Sequence, residues 1–153
     1  MWKKAGEGLS DRLVEGTLKF GGSLMTWGCM LWKGVGDACN IDGRIDGDLY
    51  IKILEDDLQS SLVFYDKTSQ GSIFQQDNDL KHTCKKAHME VLLWPAQSSD
   101  PNPIEHLWNH LKRKLAEYEV PPQGILELWE RVQKEWGKIR PEVCQGLIES
   151  MPR

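Results

Sequence analysis

The sequence predicts a mixed α/β domain with helices laid over a sheet, and three observations carry that prediction. Residues 24–32 (LMTWGCMLW) form a nearly continuous apolar run of the length that suits a buried strand. Two shorter runs, 72–76 (SIFQQ) and the apolar 90–94 (EVLLW), read as strands that stop at Asp77 and Pro95. From residue 103 onward the apolar residues recur at helical spacing.

The elements follow in order. Residues 1–21 are rich in glycine and charge and read as a loop entering the first strand. Gly34 and Gly36 punctuate a turn after residues 24–32, and residues 35–41 read as a second, weaker strand that closes a hairpin. Asp46 is a suitable N-cap for a helix over 47–60, with Tyr50, Ile51, Leu54 and Leu58 on one face and Glu55, Asp56 and Asp57 turned to solvent. A polar linker leads to the strand 72–76. A short helix over 82–89, a strand over 90–94 and a Pro- and Ser-rich loop over 95–102 come next.

The clearest helix runs from Pro103 to about Tyr118. Ile104, Leu107, Trp108, Leu111, Leu115 and Tyr118 form its core stripe, Asn102 can cap it, and Pro103 fits its first position. Pro121-Pro122 ends that region. A second amphipathic helix places Ile125, Leu128, Trp129, Val132 and Trp136 together, and a last one starts at Pro141 with Val143, Leu147 and Ile148 on one side. No internal repeat or domain boundary interrupts the chain, which reads as a single domain over 1–153.

Composition narrows the function classes. The chain has 153 residues, a formal net charge of −4 and a pI near 5.6, which weighs against a dedicated nucleic-acid-binding module. It leaves room for a site in which carboxylates hold cations. Cys29, Cys39, Cys84 and Cys144 are irregularly spaced without a C-x-x-C pair, so a disulfide framework and a zinc finger are disfavoured and reduced thiols expected. No apolar run approaches the ~18 residues of a membrane span. The amino terminus lacks a signal-peptide core, and the chain reads as soluble and intracellular.

The residues with chemical potential each carry a plain alternative. Asp77 closes a central strand, at the sheet edge where ligand sites gather, yet Asp77-Asn78 is also a good turn. Glu105 stands three residues after Asn102, where it can close a capping box, and a first-turn carboxylate can also face a site. His82 with Cys84, and His106 with His110, have spacings that could supply two zinc ligands each, but neither pair has a second pair to complete it. Lys85-Lys86 and Lys112-Arg113-Lys114 are solvated faces or phosphate contacts.

In combination these segments are more specific. FQQDN, His82-Thr83, Trp94-Pro95-Ala96-Gln97-Ser98 and then Asp100-Pro101-Asn102-Pro103-Ile104-Glu105 with Leu107-Trp108 resemble the signature of a Tc/mariner-type (DDE superfamily) DNA transposase. The stretch GGSLMTWGCMLWKGVG, an Ile-Asp-Gly turn and a Tyr-Ile-x-Ile-Leu helix are similar to the region that precedes it in that family. The match covers about residues 20–115, and the helices over 122–150 resemble the tail of such a domain.

The resemblance implies a ribonuclease H-like mixed sheet flanked by helices, and three carboxylates that hold two Mg²⁺ or Mn²⁺ ions for cleavage and strand transfer of DNA. By motif position Asp77 is the second of these catalytic, metal-holding carboxylates and Glu105 the third. The implied partners are the transposon ends and a DNA target, and the implied location is nuclear. Two departures set the expectation for this chain. The strand that ends in the family's first catalytic Asp finds no apolar run ahead of Gly21, so the domain is expected to be truncated there. Only 27 residues separate Asp77 from Glu105, short of the family pattern by about two helical turns. An inactive catalytic-domain fragment is therefore expected, with a non-catalytic nucleic-acid-binding or protein-interaction module as the alternative.

Overall fold

The computed structural model describes residues 24–69, 72–74, 90–91 and 103–151. Strands β1 (Met25–Leu31) and β2 (Gly34–Ile41) form an antiparallel hairpin, with a register irregularity between Gly28 and Met30. Helix α1 (Gly47–Ile53), a π-helical stretch over Leu54–Leu58 and α2 (Gln59–Phe64) follow one another without a break. Strands β3 (Ile73–Phe74) and β4 (Glu90–Val91) pair in parallel, which requires a crossover between them. Helices α3 (Pro103–Ala116), α4 (Ile125–Gly137) and α5 (Pro141–Glu149) complete the chain. The mixed α/β class is thus present, with the described elements in the expected order. The helix expected over 82–89 and the Asn102 cap lie outside the described residues.

The apolar continuity of residues 24–31 has a physical cause, since both faces of the hairpin are covered, whereas Trp32, expected in the same buried strand, lies past the end of β1 and is exposed. Trp27 and Cys29, with Met25 and Leu31 beside them, join Ile41, Tyr50, Ile53, Leu54, Leu58 and Leu62 in one core. Leu24 and Met30 turn the other way, with Val35 and Ala38, toward Leu107, Trp108, Leu111, Val132 and Trp136. A strand pleats with period two, so alternate residues serve opposite cores. The hairpin is the shared middle layer.

Glycines let the two cores approach that layer. The indoles of Trp108 and Trp136 stack with centroids 4.8 Å apart. A Cβ at Gly28 would stand 2.9 Å from the Trp136 ring and 3.1 Å from Trp108. Trp136 Nε1 also donates to the Gly36 carbonyl at 2.8 Å, pinning α4 to β2. On the opposite face, a Cβ at Gly36 would fall 2.5 Å from both Cys29 Sγ and Ser61 Oγ.

The helix over 47–64 starts where expected, with Leu49 N–H donating to Asp46 Oδ1 at 2.8 Å. It continues past residue 60, and the acidic triplet is not uniformly solvated. Glu55 and Asp56 are exposed, whereas Asp57 is half-buried. The π-helical stretch shifts the phase there, and Ser61 Oγ donates to the Asp57 carbonyl at 2.7 Å while accepting Asp37 N–H at 2.7 Å. A serine that bonds back to the turn before it bends a helix and here ties it to β2.

One further expectation is corrected. Ile125 is 48% exposed, because it opens α4 and the buried stripe begins only at Leu128. In α5 Val143 and Leu147 pack against the core as expected, and Cys144 beside them is fully buried.

Replacing Gly36 by Ala should cost about 1–3 kcal/mol through overpacking against Cys29 and Ser61. Urea melts of Gly36→Ala and of Gly43→Ser check this. Gly43 has no neighbour within 4 Å of a built Cβ but a positive φ of 83°, so its loss should be the smaller, purely backbone cost.

Candidate functional site

Glu105 is the one expected site residue among those described. It sits in the first turn of α3, half-buried and engaged with neighbours, where its charge suits the helix amino terminus. The helix that carries it is held from below by Leu107, Trp108 and Leu111 in the core. Asp77 lies outside the described residues, three positions beyond Phe74 of β3 in the sequence. The parallel pairing of β3 with β4 joins the segment leading to Asp77 with the segment leading to Glu105. Carboxylate oxygens are the donors that hard divalent cations prefer. Among the described residues, however, no group of three or more His, Cys, Asp and Glu is arranged to hold a metal. The donor type fits such an ion, and the described part of the set does not complete a site.

The zinc alternative gains nothing, since His106 is exposed, His110 half-buried, and no described cluster completes them. His82 and Cys84 lie outside the described residues.

The basic triplet 112–114 is divided by the geometry of α3. Lys114 pairs with Glu117 at 2.9 Å and lines an open cavity of about 510 Å³ with His110, Lys134 and Lys138. Glu105 and Lys112 take no part in that cavity. In the same region Glu135 is buried yet satisfied: it accepts from Tyr118 Oη at 2.8 Å and from Lys138 Nζ at 2.8 Å. The Lys138 ammonium holds its carboxyl below the ordinary range, against the opposing effect of burial. Arg131 lies over the Tyr118 ring at 4.6 Å, pairs with Glu127 and donates to the Val120 carbonyl at 2.6 Å. Tyr118 thus works beyond the end of α3 as a link to α4. Its stripe spacing marked it as inward-facing, but nothing in the sequence marked Glu135 as its partner.

A second polar cluster lies between β1, β2 and the π-helical stretch. Burial pushes the Cys29 thiol up to about 11 and the Cys39 thiol up to about 12, the latter also hydrogen-bonded to Asp57. Desolvation raises Asp57 as well. These are inert thiols rather than nucleophiles, since reactivity requires thiolate.

The chain is 35% identical over 142 residues, 87% of its length, to the transposable element Tcb2 transposase of Caenorhabditis briggsae, and it covers 50% of that protein. It is likewise 35% identical over 140 residues to the Tc1 transposase of Caenorhabditis elegans, again 87% of the chain and 50% of the relative. The chain is homologous to the Tc-type transposases. The more distant Tc3 transposase of Caenorhabditis elegans matches at 32% over 138 residues, 86% of the chain and 41% of the relative. The chain therefore spans about half the length of the curated transposases it matches. No family model matches it. No helix among the described residues is long and apolar enough to cross a membrane.

The raised thiols give a pH prediction. A folded pKa above the unfolded value means the folded state holds the proton longer, so that stability is complete below about pH 9 and lost as pH rises through the folded values. Urea melts between pH 8 and 11 should show stability falling above pH 9. Cys39→Ser should flatten part of that fall, separating it from the raised Tyr65 and Lys138, which act in the same direction.

Proposed function

We propose that this chain is the catalytic-domain segment of a Tc/mariner-type (DDE) transposase lineage, ribonuclease H-like in fold, and that it no longer cuts or joins DNA. The observation that carries the reading is the 35% identity to transposases across 87% of the chain, a span that contains both carboxylate motifs. The mixed α/β architecture and the parallel β3–β4 pair that precedes the Glu105 helix support the fold assignment.

In this reading Asp77 and Glu105 descend from two of three carboxylates that bind Mg²⁺ or Mn²⁺. Such a pair of ions supplies the activation of an attacking water or 3′-hydroxyl and the stabilisation of a leaving oxygen. Glu105 would contribute oxygen ligands from a rigid first helical turn, and Asp77 would contribute them from the end of a strand. DNA, as transposon ends and target, is the substrate class.

What speaks for lost activity is the connection between the carboxylates. With 27 intervening residues it is about two helical turns short of the family pattern. A misplacement of about 1 Å in a site of this kind costs on the order of a hundredfold in rate. A connection shortened by that much would shift the two carboxylates relative to each other, and the cost would fall on both ions.

A second reading, DNA binding without cleavage, is favoured by Lys112 and Arg113 of α3, which form no ion pair among the described residues. The two readings are compatible. Incubation of the full chain with supercoiled plasmid in Mg²⁺ and in Mn²⁺ should give no nicking beyond that of Asp77→Ala and Glu105→Gln. Nicking by the unaltered chain that disappears in Asp77→Ala would overturn the inactive assignment.

A further inference from the structure

Helix geometry sorts the side chains of α3 around Glu105. Asn109 lies about 6 Å further along the axis and about 40° round from Glu105, and Lys112 about 10 Å along and about 20° round. The three therefore share one flank of the helix. His110 and Lys114 fall about 140° and 180° away from Glu105, and both line the cavity on the opposite flank. Leu107, Trp108 and Leu111 occupy the buried face between the two flanks.

The two lysines also differ in their partners. Lys114 is neutralised by Glu117 at 2.9 Å. Lys112, half-buried, has no ion pair or hydrogen bond among the described residues. Asn109 next to it is exposed and brings donors without charge. Side chains on a helix lean toward its amino terminus, so the Lys112 stem leads back toward the turn that holds Glu105. A half-buried stem with an unpaired ammonium at its tip is arranged to meet an anion from solvent.

We propose that Lys112 is a positioning residue, which grips a phosphate of the DNA strand presented to Glu105, with Asn109 as a neutral contact between them. This rests on the reading of the chain as a DNA-binding transposase segment. Successive phosphates along one strand rise about 3.4 Å each. A strand running down this flank from Glu105 therefore brings a phosphate only a few nucleotides away to Lys112. The contact is to the backbone and carries no sequence preference.

The test is fluorescence anisotropy of a labelled duplex with the full chain over a range of salt concentrations, for the unaltered protein, Lys112→Ala, Lys112→Arg and Lys114→Ala. Removing one phosphate contact should lower the slope of log K against log salt by about 0.9 in Lys112→Ala, equally for unrelated duplex sequences. Lys112→Arg should restore the slope and Lys114→Ala should leave it unchanged. A merely structural role for Lys112 would shift the melting temperature and not the slope. If the unaltered chain binds DNA and Lys112→Ala keeps its slope, or Lys114→Ala loses as much, this proposal fails alone. If the unaltered chain shows no salt-dependent binding, the DNA-binding reading fails and takes the proposal with it.

Discussion

The stacked indoles of Trp108 and Trp136 lie against Gly28 of β1, and Trp136 is hydrogen-bonded to the Gly36 carbonyl of β2. Through this contact the C-terminal helices are fixed to the hairpin, and with them the position of Glu105. A side chain at Gly28 would need the space the rings occupy, so the contact depends on glycine there as much as on tryptophan. Burying two indoles removes several hundred Å² from water, roughly 150–250 Å² each. The buried Nε1–H is satisfied rather than stranded, which keeps that burial from carrying a desolvation cost. The other face of the same hairpin closes over α1 and α2 through Gly36, Cys29 and Ser61. A thin two-stranded layer thus organises two cores.

Much of this was legible in the sequence because the signals were redundant. The run over 24–32 is apolar on both faces apart from Thr26, which a strand covered on one side would not be, and the structure places cores on both sides up to Leu31. The stripe in α3 was equally clear: Leu107, Trp108 and Leu111 repeat at helical spacing and all are buried. Asp46 was readable as a cap because it precedes an amphipathic segment and has no competing partner. Periodicity failed where the helix itself changes pitch. The π-helical stretch rotates Asp57 inward beneath Cys39, and no helical wheel drawn at constant pitch anticipates that. It failed also at Ile125, where spacing continued the stripe into a turn that has no neighbour to cover it. Cys144 was missed because a single cysteine carries little periodic weight, although it is fully buried.

The candidate site divides along similar lines. Glu105 could be placed on a first helical turn from Asn102-Pro103 alone, and it is there. Its capping and site roles have the same geometry, so spacing cannot separate them, and it is the resemblance shared with the motif at Asp77 that favours the site role. The triplet Lys112-Arg113-Lys114 read as one basic cluster in the sequence. Successive residues on a helix point about 100° apart, and the structure sends Lys112 to the flank of Glu105 and Lys114 to an acidic partner. Homology to the Tc-type transposases over 87% of the chain accounts for why these motifs occur together. It says less about catalysis, because the spacing between the carboxylates is a property of this chain.

In the function proposed above, Asp77 and Glu105 are remnants of one cation site. Titrating Mn²⁺ into the ¹⁵N-labelled chain tests it most directly, since a bound paramagnetic ion broadens nearby amide signals without any need for turnover. Selective broadening is expected at residues 76–78 together with 104–107, lost in Asp77→Ala and in Glu105→Gln. Broadening confined to the exposed acids Glu55 and Asp56, or spread evenly over the surface, would contradict it.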